Sequence, residues 1–119
     1  MYKKLQEPTR TGDVPEYDSE EYRLFVERWK RYKSHFDRAK DRGIDFYFTF
    51  EQWIMWWEQE LGPDWMKLRG SAQEQFCMAR KKDEGPYHPR NVECVTNKQN
   101  LYDWTKVNRR LRRRKLYGR

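Results

Sequence analysis

Residues 109–115 read Arg-Arg-Leu-Arg-Arg-Arg-Lys. A guanidinium group offers a planar fork of donors that matches phosphate oxygens, and each nucleic-acid phosphate it neutralises releases condensed counterions. The run therefore points first to nucleic acid, with Arg109, Arg110, Arg112, Arg113, Arg114 and Lys115 as binding residues. An acidic protein surface, an anionic lipid surface or a solvated tail are the other uses of such a segment. Charge alone does not separate DNA from RNA. Trp104 and Tyr117 stand close enough in sequence to add base stacking.

Catalytic and metal-binding signals are weaker. His35 and His88 are the two side chains whose ordinary pKa suits proton transfer near neutral pH. His88 follows the turn-forming Asp83-Glu84-Gly85-Pro86, where catalytic groups tend to collect, although a lone loop histidine is more often only solvent-exposed. Cys77, Cys94, His35 and His88 have the types of a zinc site, but their spacing fits no common pattern, and no Gly-rich phosphate loop is present. Two cysteines are too few for a disulfide framework. They read as buried thiols facing each other across a hairpin.

The charge is unevenly spread. The 119 residues contain 26 Lys and Arg against 19 Asp and Glu, for a net +7. Eight of the basic residues and one acid, Asp103, fall in residues 101–119, so residues 1–100 are balanced at 18 of each sign. A hydrophobic fraction of 36% and a mean hydropathy of −1.34 lean towards disorder. Six Trp, eight Tyr and six Phe reverse that, since each buries about 150–250 Å². A chain this short makes one domain with one modest core. No apolar run approaches a membrane span and the start lacks an apolar leader, so a soluble cytoplasmic protein in a reducing compartment is expected, with no membrane partner.

The elements that must position these groups follow from spacing. Residues 1–18, with Pro8, Gly12 and Pro15, read as an extended arm or loosely attached lead-in, and residues 19–119 as a single domain. Asp18-Ser19-Glu20-Glu21 offers an N-cap, and Tyr22, Phe25, Trp29, Tyr32, Phe36 and Ala39 recur every three or four residues up to Gly43. This predicts a helix at about 19–42. Its other faces carry enough Arg and Lys to follow a phosphate backbone, or to form a solvated face with Glu27, Asp37 and Asp41. Ile44–Phe48 is extended in character, and Thr49-Phe50-Glu51-Gln52 is a capping box for a helix at about 49–61, stopped by Gly62-Pro63. Trp56 and Trp57 on that helix could stack on bases, but packing is the stronger reading.

Residues 75–81 and 91–95 have strand character around the Asp-Glu-Gly-Pro turn, which predicts a hairpin at about 75–95. Thr96-Asn97-Lys98-Gln99 repeats the capping-box spacing and opens a helix at about 97–116, with Leu101, Trp104, Val107 and Leu111 on one face. The expected fold is thus α+β, a mainly helical small domain with a ββα unit, hairpin plus helix, in its C-terminal half. The basic run continues directly from that unit.

The stretch FCMARKKDEGPYHPRNVECVTNKQN, residues 76–100, resembles the core of HNH-type homing endonucleases of phages and mobile elements. The matching positions are Gly85, Tyr87 and Asn91, then Thr96 leading into a helix that bears Asn100. The upstream Arg42-Gly43-Ile44 and Phe50-Glu51-Gln52-Trp53 look similar as well, so the likeness covers roughly residues 25–105. It implies a ββα-metal nuclease, in which one Mg²⁺ or Mn²⁺ ion stabilises the scissile phosphate while a histidine activates water. Asn91 occupies the central Asn position and Asn100 that of the last metal ligand. The first strand departs from the pattern: Ala79 replaces a metal-binding Asp or His, and Arg80 replaces the water-activating His. Alanine has no ligand atom and arginine stays protonated.

The available substitutes are Asp83, Glu84 and His88. The candidate catalytic set is accordingly His88, Asn91, Asp83 and Arg80, and the candidate metal ligands are Asn100 and Asp83. The resulting expectation is a nucleic-acid-binding protein, DNA ahead of RNA, that either cleaves with a divalent metal or is a catalytically degenerate relative. The alternative is a phage-type accessory or inhibitor protein that binds a host or virion protein.

Overall fold

The computed structural model describes residues 2–10, 12–103 and 105. Four helices and one hairpin follow in order: α1, Glu20–Asp41; α2, Phe50–Leu61; α3, Trp65–Leu68; β1, Phe76–Arg80; β2, Val92–Thr96; and α4, helical over residues 97–103. β1 and β2 pair antiparallel, from Phe76 opposite Thr96 to Arg80 opposite Val92. The architecture is the α+β arrangement expected, with a ββα unit in the C-terminal half. Among the described residues no helix is long and apolar enough to cross a membrane. The expected extension of α4 to residue 116, and with it Arg109, Arg110, Arg112, Arg113, Arg114 and Lys115, lies outside the described residues.

Capping fixes where the helices begin. The Ser19 hydroxyl accepts from the Tyr22 amide at the start of α1. In α2 the Thr49 hydroxyl accepts from the Gln52 amide and the Gln52 side chain accepts from the Thr49 amide, a complete capping box. The same spacing in α4 gives only half a box. Thr96 Oγ1 accepts from the Gln99 amide, while the Gln99 side chain turns down the helix to Asp103. α3 has no counterpart in the sequence reading, because four residues carry no period to read.

The core is aromatic. Tyr32, fully buried on α1, lies 5.5–5.8 Å between ring centroids from Trp29, Phe46, Phe50 and Trp53, in tilted or edge-on contacts. Its hydroxyl donates to the Phe48 carbonyl at 2.6 Å, and burial pushes the phenol up to about 12. Trp53 and Trp57, one turn apart on α2, bury themselves against Trp65 of α3; the Trp57 and Trp65 rings stack at 6.1 Å. Trp56 packs edge-on against Trp57 and Phe48. Of the adjacent tryptophans of α2, Trp57 is therefore in the core and Trp56 packs half-buried at its edge.

Residues 44–49 run extended between two partners. On one side, the Tyr47 amide donates to the Tyr87 carbonyl and the Tyr87 amide to the Asp45 carbonyl, both at 2.9 Å. On the other, the arm supplies the Leu5 amide to the Phe46 carbonyl at 2.8 Å and accepts the Phe50 amide at the Thr9 carbonyl at 2.9 Å. Of the two expectations for residues 1–18, an extended arm or a loosely attached lead-in, these bonds tie residues 5 and 9 of the arm along this segment. The reason is that a buried extended strand has backbone groups pointing both ways, and each needs a partner.

The cysteines also depart from expectation. Cys77 pairs with Val95 and Cys94 with Met78. Alternation along a strand sends neighbouring pairs to opposite faces, so the two thiols do not face one another. Burial raises both thiols, Cys94 to about 11, which keeps them protonated at neutral pH.

Candidate functional site

The hairpin loop, residues 81–91, is clamped by the residues that the sequence marked for catalysis. Lys82 and Asp83 take positive φ in a 3-10 turn, which folds the chain back towards β1. Arg80 then reaches across it: Nη1 donates to the Gly85 carbonyl at 2.8 Å, and Nη2 meets Asp83 Oδ1 at 3.3 Å. Its guanidinium also lies over the Tyr87 ring. From the other strand, Asn91 Nδ2 donates to the carbonyls of Glu84 and Pro86 at 2.9 and 2.8 Å. Gly85 has φ +79°, and a Cβ there would meet the Asn91 amide at 3.0 Å, so both backbone angle and space call for glycine.

Arg80, Asp83 and Asn91 are therefore brought together, as a loop clamp. Asn91→Ala strips two carbonyls of their donor and is expected to cost about 1–2 kcal/mol, read as a lower urea midpoint. His88 stands apart from this group. Its Nδ1 accepts from the Arg90 amide at 3.0 Å, and its ring sits edge-on to Tyr2 and Tyr47 at 4.9 and 5.2 Å. Asn100, on α4, lines a concavity of about 220 Å³ together with Ala79, Arg80 and Asp83.

This concavity is where the family resemblance would put a divalent ion. Ala79 offers no donor atom, and Asp83, the one carboxylate lining it, is paired with Arg80. Among the described residues no three His, Cys, Asp or Glu side chains converge. Two neutral amides, Asn97 and Asn100, and one carboxylate already shared with a guanidinium are a poor fit to a hard dication, which takes several oxygen ligands and favours carboxylates.

The larger cleft, about 420 Å³, adjoins this concavity and shares Arg42, Tyr87, Asn97 and Asn100 with it. Its walls come from α1 (His35, Arg38) and its C-cap Arg42, α2 (Trp57), the segment after α3 (Arg69 to Ser71), β1 and the start of α4. None of the described residues lining it is acidic. Three other cations of α1 are taken up by carboxylates, Arg23 by Asp18, Arg31 by Glu27 and Lys33 by Asp37, whereas Arg28, Lys30 and Lys40 have no ion pair among the described residues. Arg38 and Arg42 have no ion-pair partner among the described residues and lie at the cleft. The basic surface of α1 is thus partly paired with carboxylates and becomes a cationic wall of the cleft at its C-terminal end.

Arg69 is held most firmly. Its guanidinium carbon lies 4.9 Å from the Trp53 ring centroid and 5.2 Å from that of Trp57. A bridge between Arg69 and Phe76 fixes its backbone beside β1, and Asn97 Nδ2 donates to the Gly70 and Ala72 carbonyls at 2.7 Å, tying the segment to α4. Burial, with Arg31 and Arg38 adding repulsion, lowers Arg69 to about 10, so it remains charged at neutral pH. His35 completes the wall. Its Nδ1 accepts from Trp53 Nε1 at 3.1 Å, which places the imidazole hydrogen on Nε2. Burial first, then Arg69 and Arg38, pushes it down to about 3, so the ring is neutral.

Arg69 and Asn97 escaped the sequence reading, and Arg38 and Arg42 figured there only within a general basic face. A usable signal did exist for Arg69: Trp53 and Trp57 at i and i+4 make an aromatic ledge that an arginine outside any apolar period can cover. Compared with family models, curated protein sequences and solved structures, the chain matches none.

Proposed function

We propose that this chain binds nucleic acid, DNA ahead of RNA, with a ββα unit of the HNH-endonuclease kind used for phosphate grip. The observation that carries this reading is the cleft between α1 and the ββα unit, walled by Arg38, Arg42 and Arg69 and free of acidic lining among the described residues. The Arg-rich segment 109–115 supports the same anionic partner. The likeness of residues 76–100 to the HNH-type endonucleases supports the same substrate class. The donor set beside Arg80 and Asp83 favours binding over metal-dependent cleavage.

The test is a mobility-shift titration on linear and supercoiled DNA at several salt concentrations. Log affinity is expected to fall linearly with log salt, and replacing Arg110, Arg112 and Arg113 with Ala is expected to flatten the slope by about 2.7 on duplex DNA. Unchanged binding by a chain truncated at Leu111 would remove the tail from this account. Supercoiled DNA incubated with Mg²⁺, Mn²⁺ or EDTA, beside Asn91→Ala, reads cleavage directly: metal-dependent nicking would restore the nuclease reading. A stoichiometric protein partner retained in nuclease-treated lysate, with no shift of DNA, would replace nucleic acid by a host or virion protein.

A further inference from the structure

The cleft has a composition that general affinity for nucleic acid does not require. A surface that only follows a phosphate backbone needs no more than exposed cations. Arg69 is different. It is half-buried, stacked on two fully buried indoles, and without a hydrogen-bond or ion-pair partner for its side chain among the described residues. Holding a guanidinium partly out of water with no counterion is unfavourable unless something negative arrives.

A second observation is independent of charge. Trp57 lines the cleft and is fully buried, yet its Nε1–H has no hydrogen-bond partner among the described residues. Buried indole N–H groups ordinarily find an acceptor. His35 lines the same cleft, and its Nε2–H has no partner among the described residues, since Nδ1 is the atom engaged by Trp53. Arg69, Trp57 and His35 thus share one property at this cleft. They are donors in search of acceptor oxygens.

We infer that this cleft is a specific phosphate-binding site, in which Arg69 is the innermost cation, Arg38 and Arg42 close over the outer oxygens, and Trp57 and His35 donate from the floor. Donors arriving from α1, α2 and the segment after α3 suit a tetrahedral group with oxygens on several sides better than a planar carboxylate with two. A volume of about 420 Å³ falls in the range of small-molecule sites, so the cleft has room for more than a bare ion. The inference rests on the nucleic-acid reading for the source of the phosphate, which is either the terminal phosphate of a strand or an internal phosphodiester.

The experiment uses the full chain and two kinds of probe. Inorganic phosphate and pyrophosphate are titrated at constant ionic strength, with calorimetry for stoichiometry. Tryptophan emission gives a second readout, since Trp53 and Trp57 carry Arg69 on their faces. Saturable one-to-one binding is expected, weakened roughly tenfold to a hundredfold by Arg69→Gln. Arg38→Gln is expected to weaken it several-fold, Arg69→Lys to an intermediate degree, and Lys33→Gln, whose partner is Asp37, less than twofold. Urea midpoints of the variants establish that each is folded. No saturable binding by the wild type, or equal binding by folded Arg69→Gln and Arg38→Gln, overturns the inference.

Short single-stranded oligonucleotides with a 5′-phosphate or a 5′-hydroxyl form the second set. Arg69-dependent preference for the phosphorylated end assigns the site to a terminal phosphate; equal Arg69-dependent binding assigns it to an internal phosphodiester. Failure of the site and failure of the broader reading look different. DNA affinity that survives Arg69→Gln but is lost with residues 109–115 sinks the cleft and leaves nucleic-acid binding standing. Pyrophosphate binding without any oligonucleotide binding does the reverse.

Discussion

Replacing Trp53 with alanine is expected to cost about 3–5 kcal/mol, the range for removing a large buried aromatic. A domain of 119 residues has a total stability of about 6–18 kcal/mol, so the loss reaches a large share of it. Trp53 is fully buried at the meeting point of α1, α2 and α3, with Tyr32, Trp57 and Trp65 around its ring. Truncation opens a cavity between three helices that are themselves held by aromatic edges. It also leaves His35 Nδ1 without its donor and takes away one of the two faces that carry Arg69. Trp53→Phe keeps much of the volume and loses the N–H, so it separates packing from hydrogen bonding. Trp56→Ala is the comparison on the same helix: Trp56 is only half-buried and packs at the edge, and about 1 kcal/mol is expected there. Urea unfolding followed by near-ultraviolet dichroism reads all three. A Trp53→Ala midpoint no lower than that of Trp56→Ala would mean that the core is not organised around this residue.

The features legible in the sequence are those written in local spacing. The run from Tyr22 to Ala39 at intervals of three and four becomes α1, and its period places Tyr32, Phe36 and Ala39 in the core. Thr49 and Gln52 form the capping box that their spacing announces, and Asp-Glu-Gly-Pro lies in the turn of a hairpin whose two strands fall where expected. The candidate site was less legible, for two physical reasons. Arg80 and Asn91 are marked by position in a motif and Asp83 as a nearby substitute for its missing acid, yet the positive-φ turn at Lys82 and Asp83 directs Arg80 onto the loop itself. The cleft, in turn, gathers residues from α1, α2, the segment after α3, β1 and α4. No window of consecutive residues contains that convergence. Arg69 shows the difficulty most plainly, because its role depends on two indoles more than ten positions away and on Phe76 holding its backbone in place.

Lowering the pH from 7.5 to 5.0 is expected to remove about 2 kcal/mol of stability through His35 alone. In the folded protein its Nδ1 is an acceptor for the Trp53 indole. Adding a proton there sets two donors against each other and places a charge in a buried position near Arg69 and Arg38. Those effects, burial foremost, hold the folded pKa down at about 3, whereas an unfolded histidine has a value of about 6.5. Between these two values the unfolded chain binds more protons than the folded one, so stability falls as pH falls through about 6.5 and continues falling towards 3. Above 6.5 the imidazole is neutral in both states and contributes no slope. Carboxylates with ordinary values near 4 titrate mainly below pH 5, which keeps the upper part of this window largely to histidine. His35→Gln retains an amide oxygen that can accept from Trp53 and has no proton to gain, so this variant should lose about 2 kcal/mol less than the wild type over the same interval. Urea midpoints of both proteins at pH 7.5 and 5.0 decide the matter. Equal pH dependence in the two would mean that the buried imidazole is not what links folding to protons.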